Sequence, residues 1–534
     1  MNKKNNFLVQ AGILASAGLI ARVLGFLYRI PMQNMLGDGG TAVYGTAYNI
    51  YLFLLVLSSA GLPVAISRMV SKRIALRQYA NARKVFDVAM RVALVSGTLG
   101  MVVLFFGAYT MSTAILAGNH ARYSIQVLSP TVLIVAVMSV YRGYFQGLGN
   151  SVPTAISQLI EQIVNAILSV LLVYLLIENG VELAAAGGNA ASGIGAAVGL
   201  LFVVFIFMIN KPREQRKIEK YKEFATYESG KSIAKELIFT AAPIIAGTAV
   251  FSITNIIDTY MVVTILRSIG FTGEEAQALF GQLNGKYVVI TTLPVAIASA
   301  IAVAIIPSIT KSMTLGRRNE TNENINMAFK AAMLICVPAA VGIGVMAYPI
   351  LAFLFPSHPE GGILLQVGAF SILVLAITQV TTGILQGMNR LAIPVISAII
   401  GSVCKIIANY FLIAIPGINV VGAVLGTTIC YVIAAVINTY MVYKKTNVKL
   451  DMMGIFVKPI ASAILMGLVC YVAYTVMHMA FPSNGISLIF AIGLSFFSYF
   501  VCMIYLGGIT SKELLIIPGG GKVIELLHKM GVEV

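Results

Sequence analysis

The chain has 534 residues, 58% of them hydrophobic and only 10% charged, where a soluble domain carries about 25% charged residues. That composition excludes a soluble globular protein and describes a polytopic membrane protein. The formal net charge of +16 invites nucleic acid as a partner, but the placement of the cations argues against it, as shown below. Cys336, Cys404, Cys430, Cys470 and Cys502 all lie in apolar segments without a CxxC pair, and the four histidines are scattered. They read as buried hydrophobes and isolated side chains, so neither a metal nor a cofactor is expected beyond a possible coupling ion.

The first apolar stretch, Phe7 to Pro31, is long enough to span a bilayer, since about 20 residues at ~1.5 Å each cover the hydrocarbon core. Ala15-Ser16-Ala17 mimics a cleavage site, but the apolar run continues past it, so an uncleaved first span is expected. This span carries Arg22 and Arg29, seven residues apart and therefore on one helix face with Ala11, Ala15, Gly18 and Gly25. An arginine at mid-membrane costs ~2.5–3.5 kcal/mol on insertion scales and normally faces a bundle interior or a watery cavity. The stripe reads as one wall of a cationic site for an anion. Arg29, near the helix end, can equally snorkel to the interface.

Fourteen apolar segments follow one another at about 7–30, 44–66, 88–109, 123–141, 153–177, 184–209, 236–266, 287–309, 327–355, 362–385, 392–415, 419–443, 456–480 and 484–508. With the N-terminus taken as cytoplasmic, 28 of the 36 lysines and arginines fall in cytoplasmic pieces, three (Arg122, Arg267, Lys286) in outer loops and five in spans. This is the positive-inside pattern. It places a multi-pass protein in the cell membrane with both termini cytoplasmic, and it assigns the basic balance to topology, with no nucleic-acid partner.

The chain also repeats itself. Lys72…Arg91 resembles Lys311…Lys330 at an offset of 239, and Gly143-x-x-Gln146-Gly147 recurs as Gly383-x-x-Gln386-Gly387 at 240. Each glycine motif is followed by a proline, Pro153 or Pro394, that opens the next helix. Glu161-x-x-x-Asn165 is matched by Lys405-x-x-x-Asn409, and Gly195-x-x-x-Gly199 by Gly422-x-x-x-Gly426. The expected architecture is all-α with fourteen transmembrane helices, as two six-helix parallel repeats plus two extra C-terminal helices. The boundaries are an N-lobe over 1–210, a linker over 211–235 able to form an interfacial helix, a C-lobe over 236–445, helices thirteen and fourteen over 446–508, and a tail over 509–534 with a Thr510-x-x-Glu513 capping pattern.

No catalytic constellation emerges, which points to transport and away from an enzyme. Glu161 and Lys405 fall near mid-bilayer at corresponding repeat positions with opposite signs. They can pair across the lobes, or each can pair within its own half. Asp258, in the seventh span, suits a counter-ion for Arg22 or a cation site. Arg68 and Lys72 end the second span, first of all as positive-inside anchors. Pro63, after Ala60-Gly61, can break that span where the freed carbonyls face a cavity. Lys286, near the outer mouth of the eighth span, is a third cation able to meet an anion.

Three segments, ARVLGFLYRIPMQNMLG, GLPVAISRMVSK and GYFQGLGNSVPTAISQLIEQIVN, carry a family resemblance. They resemble polysaccharide-biosynthesis flippases of the multidrug/oligosaccharidyl-lipid/polysaccharide (MOP) superfamily, in particular the MurJ-type and stage V sporulation protein B group. The resemblance covers nearly the whole chain. It implies a flippase for an undecaprenyl-diphosphate-linked sugar, with lipid II the expected glycolipid, and a lipid-tail groove formed by the two extra helices. Arg22 matches a family arginine before Val-Leu-Gly-Phe. A second family arginine falls at Tyr28, with Arg29 one residue later. The family arginine of helix two has no clear match, and that of helix eight lies nearest Lys286. The substrate-binding candidates are therefore Arg22, Arg29 and Lys286, with Asp258, Glu161, Lys405 and Arg68 in reserve, in a monomer working by alternating access. The alternatives are a cation-coupled multidrug exporter of the same superfamily, whose cationic drugs need embedded carboxylates, and a membrane-embedded transferase, which lacks an acid–base cluster here.

Overall fold

The computed structural model describes residues 3–116, 118, 120–224 and 228–509. The capping pattern at Thr510 and the remainder of the tail lie outside the described residues, as do the side chains of Ala11 and Ala15. Among the described residues the fold is all-helical: α1 (Lys3–Ser59), α2 (Leu62–Ala75), α3 (Tyr79–Leu116), α4 (Arg122–Gly147), α5 (Val152–Leu176), α6 (Val181–Lys220), α7 (Gly230–Ser268), α8 (Gly273–Gly281), α9 (Val288–Thr314), α10 (Arg318–Val345), α11 (Ala347–Leu354), α12 (Gly362–Gly387), α13 (Ala392–Ile413), α14 (Val421–Thr446), α15 (Lys458–Ala480) and α16 (Asn484–Tyr505). Among the described residues thirteen helices are long and apolar enough to cross a membrane, and the first, Gly12–Ala75, has 64 residues. At ~1.5 Å per residue that length covers the hydrocarbon core more than twice. It turns at Gly37, whose φ of 68° and ψ of −179° suit a residue without a Cβ, and it is interrupted again at Ala60-Gly61, ahead of Pro63. The first two spans are the two arms of this hairpin, and the proline break expected in the second is present.

Two compact units divide the chain. One draws on Met1–Gly285 and Asn409–Ala423, the other on Lys286–Ala408 and Val424–Val534. In the first, buried Leu62, Ile66 and Val70 of α2 pack with Val85, Phe86 and Ala89 of α3, Met138 and Tyr144 of α4, Val203 and Phe207 of α6, and Leu237 of α7. In the second, Val295 and Ile309 of α9 pack with Ile325, Phe329 and Met333 of α10, Ile372, Val380 and Ile384 of α12, and Tyr499 and Met503 of α16. The last two helices join this core through α10, where the Tyr499 hydroxyl donates to the Leu334 carbonyl at 3.1 Å.

The repeat read from the sequence is visible inside each unit as the same helix contact made twice. A Cβ on Gly143 would lie 2.8 Å from the Cα of Pro63, and one on Gly383 would lie 2.9 Å from the Cα of Ala302. Ser71 donates to the Gly147 carbonyl at 2.9 Å, and Thr310 to the Gly387 carbonyl at 2.8 Å. Both copies close their helices with a left-handed residue: Arg77 (φ 60°) where the second has Gly316 (φ 67°), and Gly149 (φ 79°) where the second has Asn389 (φ 57°). The next amide then bonds back five residues in all four turns, Gln78 to Arg73 at 2.8 Å, Arg317 to Ser312 at 2.9 Å, Asn150 to Phe145 at 3.0 Å and Arg390 to Leu385 at 2.8 Å. The glycine match in the sixth and twelfth spans extends to the helix pair but not to the register: Gly195 lies against Glu161 and Asn165 within α5, whereas Gly422 lies against Leu412 and Ile413 at the end of α13.

Residues 267–286, expected as an outer loop, instead contain α8. Thr272 and Glu275 form a reciprocal capping box that starts it, with the Thr272 amide donating to Glu275 at 2.8 Å. A π-helical turn over Gln282–Tyr287 then leads towards α9. Gly281 packs on the Asp38 backbone and Gly285 on Thr41 and Gln33, so α8 and its exit seat on the bend of α1 with no room for a side chain.

Candidate functional site

The first unit holds a polar seam built from α1, α4, α5 and α6. Tyr28 and Arg29 stand on the first arm of α1, and Tyr44, Tyr48 and Tyr51 on the second, one turn apart so that they share a face. The Tyr44 and Tyr48 rings are near-parallel at 6.2 Å, and Tyr48 and Tyr51 meet at 5.6 Å. The Tyr28 and Tyr44 hydroxyls are 3.4 Å apart, and Asn165 of α5 reaches Tyr28 at 3.5 Å. Ser169 and Ser192 both donate to the Asn165 side-chain oxygen at 3.1 Å, which fixes that amide with its nitrogen towards the tyrosines. The half-buried Arg29 guanidinium interacts with the Tyr28 hydroxyl and lies within electrostatic reach of Tyr44 and Tyr48.

Glu161 belongs to the same seam, and its charge is matched locally. Arg142 donates to its carboxylate at 2.8 Å and to the Ser157 hydroxyl at 2.9 Å. Of the two pairings left open by the sequence, the one within its own half is the one observed for Glu161. Arg142 itself, just past the apolar segment 123–141, is inside α4, which runs on to Gly147.

Arg22 is exposed on α1. A Cβ added at Gly12, Gly18 or Gly25 would meet nothing within 4 Å, so the small-residue stripe borders open space and is not spent on close helix packing. Arg68 is exposed on α2. Asp258 of α7 is half-buried and accepts from the Asn409 side chain at 3.0 Å. Asn409 is the repeat counterpart of Asn165, so both repeats use a buried asparagine to hold a polar group on the helix that opens the repeat.

In the second unit, Lys286 is 1% exposed. Its ammonium donates to the Glu360 carbonyl at 3.0 Å, lies 4.0 Å from the Glu360 carboxylate and sits 5.9 Å from the Phe355 ring. It grips the α11–α12 connection. Lys405 is also buried, on α13. The structure therefore places Arg29 and Glu161 in one seam, Arg22 on the open face of the same helix, Asp258 with Asn409, and Lys286 on Glu360. Among the described residues no group of three His, Cys, Asp or Glu side chains is arranged to hold a metal.

The sequence reading missed the tyrosines and Arg142. Tyr44, Tyr48 and Tyr51 are spaced i, i+4, i+7, a one-face pattern open to inspection, but spacing alone does not say that the face turns towards Arg29. Arg142 gave no such signal, because its partner is 19 residues away on another helix.

A family model described as polysaccharide biosynthesis protein matches residues 7–313. The chain is 30% identical over 450 residues to the lipid II flippase MurJ of Bacillus subtilis (strain 168), with 81% of each chain covered. A solved structure of lipid II flippase MurJ, in an inward closed conformation, matches with a TM-score of 0.69 at 16% identity over 92% of this chain and 97% of that one. The inward-facing conformation of a multidrug resistance MATE family transporter of the MOP superfamily matches with a TM-score of 0.68 at 17% identity, over 80% and 94%. At such identities the two structures speak for the fold, which is that of polytopic membrane transporters.

Proposed function

The chain belongs to the polysaccharide biosynthesis protein family and is a multi-pass membrane transporter, and on that footing we propose that it flips a polyprenyl-diphosphate-linked saccharide, with lipid II as the expected substrate, from the cytoplasmic to the outer leaflet. The observation that carries this reading is the charge balance around α1. Arg29 stands among tyrosine hydroxyls with Arg22 on the open face, while Glu161 is neutralised by Arg142 at 2.8 Å. A diphosphate entering there meets guanidinium groups, whose planar donors suit phosphate oxygens, and hydroxyls able to donate alongside them. A cationic drug would meet the same arginines and a carboxylate already matched. The 30% identity to a chain described as a lipid II flippase supports the substrate class.

In this mechanism Arg22 and Arg29 hold the diphosphate while the two six-helix lobes rock between inward- and outward-open states. Helices α15 and α16 guide the polyprenyl tail, and both termini are cytoplasmic, as the 28-to-3 distribution of cations supports. The protein acts as a monomer without a cofactor. The test is rescue of cells depleted of their lipid II flippase, paired with efflux of a cationic drug. Rescue without efflux is expected. Efflux without rescue would overturn the flippase reading in favour of the exporter.

A further inference from the structure

The C-terminal end of α6 and the turn between α2 and α3 form a basic, aromatic surface that the transport reading does not use. Tyr79, which opens α3, stacks on Tyr221, which follows α6, with ring centroids 5.3 Å apart. Phe224 extends the platform at 6.2 Å from Tyr221. Three cations converge on it. Arg77 lies 5.7 Å from the Tyr221 ring and 5.8 Å from that of Phe224, Lys217 is 5.9 Å from Tyr79, and Lys220 is 5.7 Å from Tyr221.

Three carboxylates of the neighbourhood are engaged elsewhere: Glu214 is held by Arg83 and Tyr144, Glu219 by Lys222, and Glu228 by Arg73. Glu223, beside Phe224, is exposed, so among the described residues three cations converge on the platform against one carboxylate without an ion pair. The platform is also pinned to its unit, since buried Arg73 grips both Glu228 and Glu236, and Asn81 and Lys84 hold Glu228 as well. Arg77 occupies a left-handed turn whose counterpart in the second repeat is Gly316. A long side chain kept where glycine is the relaxed choice points to a use for that side chain.

The surface lies where a bilayer ends. Helix α6 has 40 residues, about 60 Å of rise and twice the hydrocarbon thickness. Leu201, Phe205, Met208 and Ile209 face outward at 67, 60, 64 and 55% exposure. The chain then turns basic at Lys211, Arg213, Arg216, Lys217 and Lys220. Lys217 is ~12 Å along the helix from Ile209, which carries it from hydrocarbon into the headgroup layer. Tyrosines mixed with cations at that depth are the usual interfacial anchors.

We propose that this surface is a binding site for an anionic phospholipid of the adjacent leaflet, whose phosphate is taken by Arg77, Lys217 and Lys220 over the Tyr79–Tyr221–Phe224 platform and whose acyl chains lie along the outward apolar face of α6. The site is separate from the seam on α1 and needs no transport to be observed.

The test uses the full chain in neutral detergent, with binding of phosphatidylglycerol and of phosphatidylcholine followed by native mass spectrometry. The variants are Arg77→Gly, which the left-handed turn accepts without strain, Lys217→Gln with Lys220→Gln, and all three together, with thermal unfolding as the check on folding. Phosphatidylglycerol affinity should fall about five-fold per charge removed while phosphatidylcholine affinity stays level. It should also weaken as ammonium acetate rises from about 0.1 to 1 M, and millimolar inorganic phosphate should not displace the lipid. Unchanged phosphatidylglycerol binding in the folded triple variant, an equal loss for phosphatidylcholine, or displacement by inorganic phosphate would each overturn the proposal.

Discussion

Arg142 donates to Glu161 across the α4–α5 pair at 2.8 Å, with 16% and 20% of the two side chains exposed. The pair removes from the seam a negative charge that would otherwise repel an anion close to Arg29, since Tyr48 lies within electrostatic reach of both Arg29 and Glu161. It also decides how the intramembrane carboxylate is tolerated.

Breaking the pair from either side should therefore be costly. Glu161→Gln or Arg142→Gln should each lower stability by about 2–3 kcal/mol, because a charged hydrogen-bonding group is left unmatched. The double neutral variant should lose less than the sum. Thermal unfolding in detergent measures all three. The exchange Arg142→Glu with Glu161→Arg should recover part of the loss, whereas Glu161→Lys with Lys405→Glu should not. Strict additivity of the two neutral substitutions would dismiss the coupling.

Arg22→Ala should abolish flipping and leave membrane yield unchanged, because the exposed side chain has no packing role on that face. Arg29→Ala should do the same, and Arg29→Lys should retain a fraction, since an ammonium cannot present two parallel donors to a phosphate. Headgroup accessibility on the outer face of proteoliposomes reports the rate. Full activity in Arg22→Ala would remove it from the site.

The repeated helix contact predicts paired effects. Gly143→Ala and Gly383→Ala should each destabilise by about 1–3 kcal/mol, since each new methyl meets backbone that must part. Gly18→Ala, with open space around it, should be neutral or stabilising by up to about 1 kcal/mol from helix propensity. Unfolding midpoints of the three variants compare them directly.

Energetics give a separate test. An outward-moving diphosphate travels with a potential that is negative inside. Each elementary charge is worth about 2.3 kcal/mol per 100 mV, so two net charges contribute up to ~4–5 kcal/mol, less whatever protein cations carry with them. An outward-positive potassium–valinomycin potential should accelerate flipping in proteoliposomes with no imposed ion gradient. A rate indifferent to voltage but dependent on a sodium or proton gradient would favour the exporter-like mechanism.

The spans were legible in the sequence because each is a run of apolar residues of membrane length, and the repeat because glycines at close helix contacts have few substitutes. The break at Ala60-Gly61-Pro63 was legible for the same local reason. Helix α8 was not, although its Thr272–Glu275 capping box is written in the chain, because a short segment between two long apolar runs gives a weak periodic signal. The site was half legible. Helical spacing puts Arg22 and Arg29 on one face, but it says nothing about which side chain from another helix will meet them. Arg142 and Asn165 enter through the neighbours α1 acquires on folding, and Tyr44, Tyr48 and Tyr51 through its own bend at Gly37. Lys286 shows the same limit from the other side: a cation expected to be available is buried on Glu360, a partner 74 residues away.

The left-handed turns at Arg77 and Gly316, and at Gly149 and Asn389, show that the two copies agree in backbone where they differ in sequence. At the first turn the glycine stands in the later copy, and at the second in the earlier one. What the copies share at these corners is a shape, filled by a different residue in each. A search for further repeats keyed to glycines would overlook half of these corners in any one copy. One keyed to the five-residue amide-to-carbonyl closure would find all four.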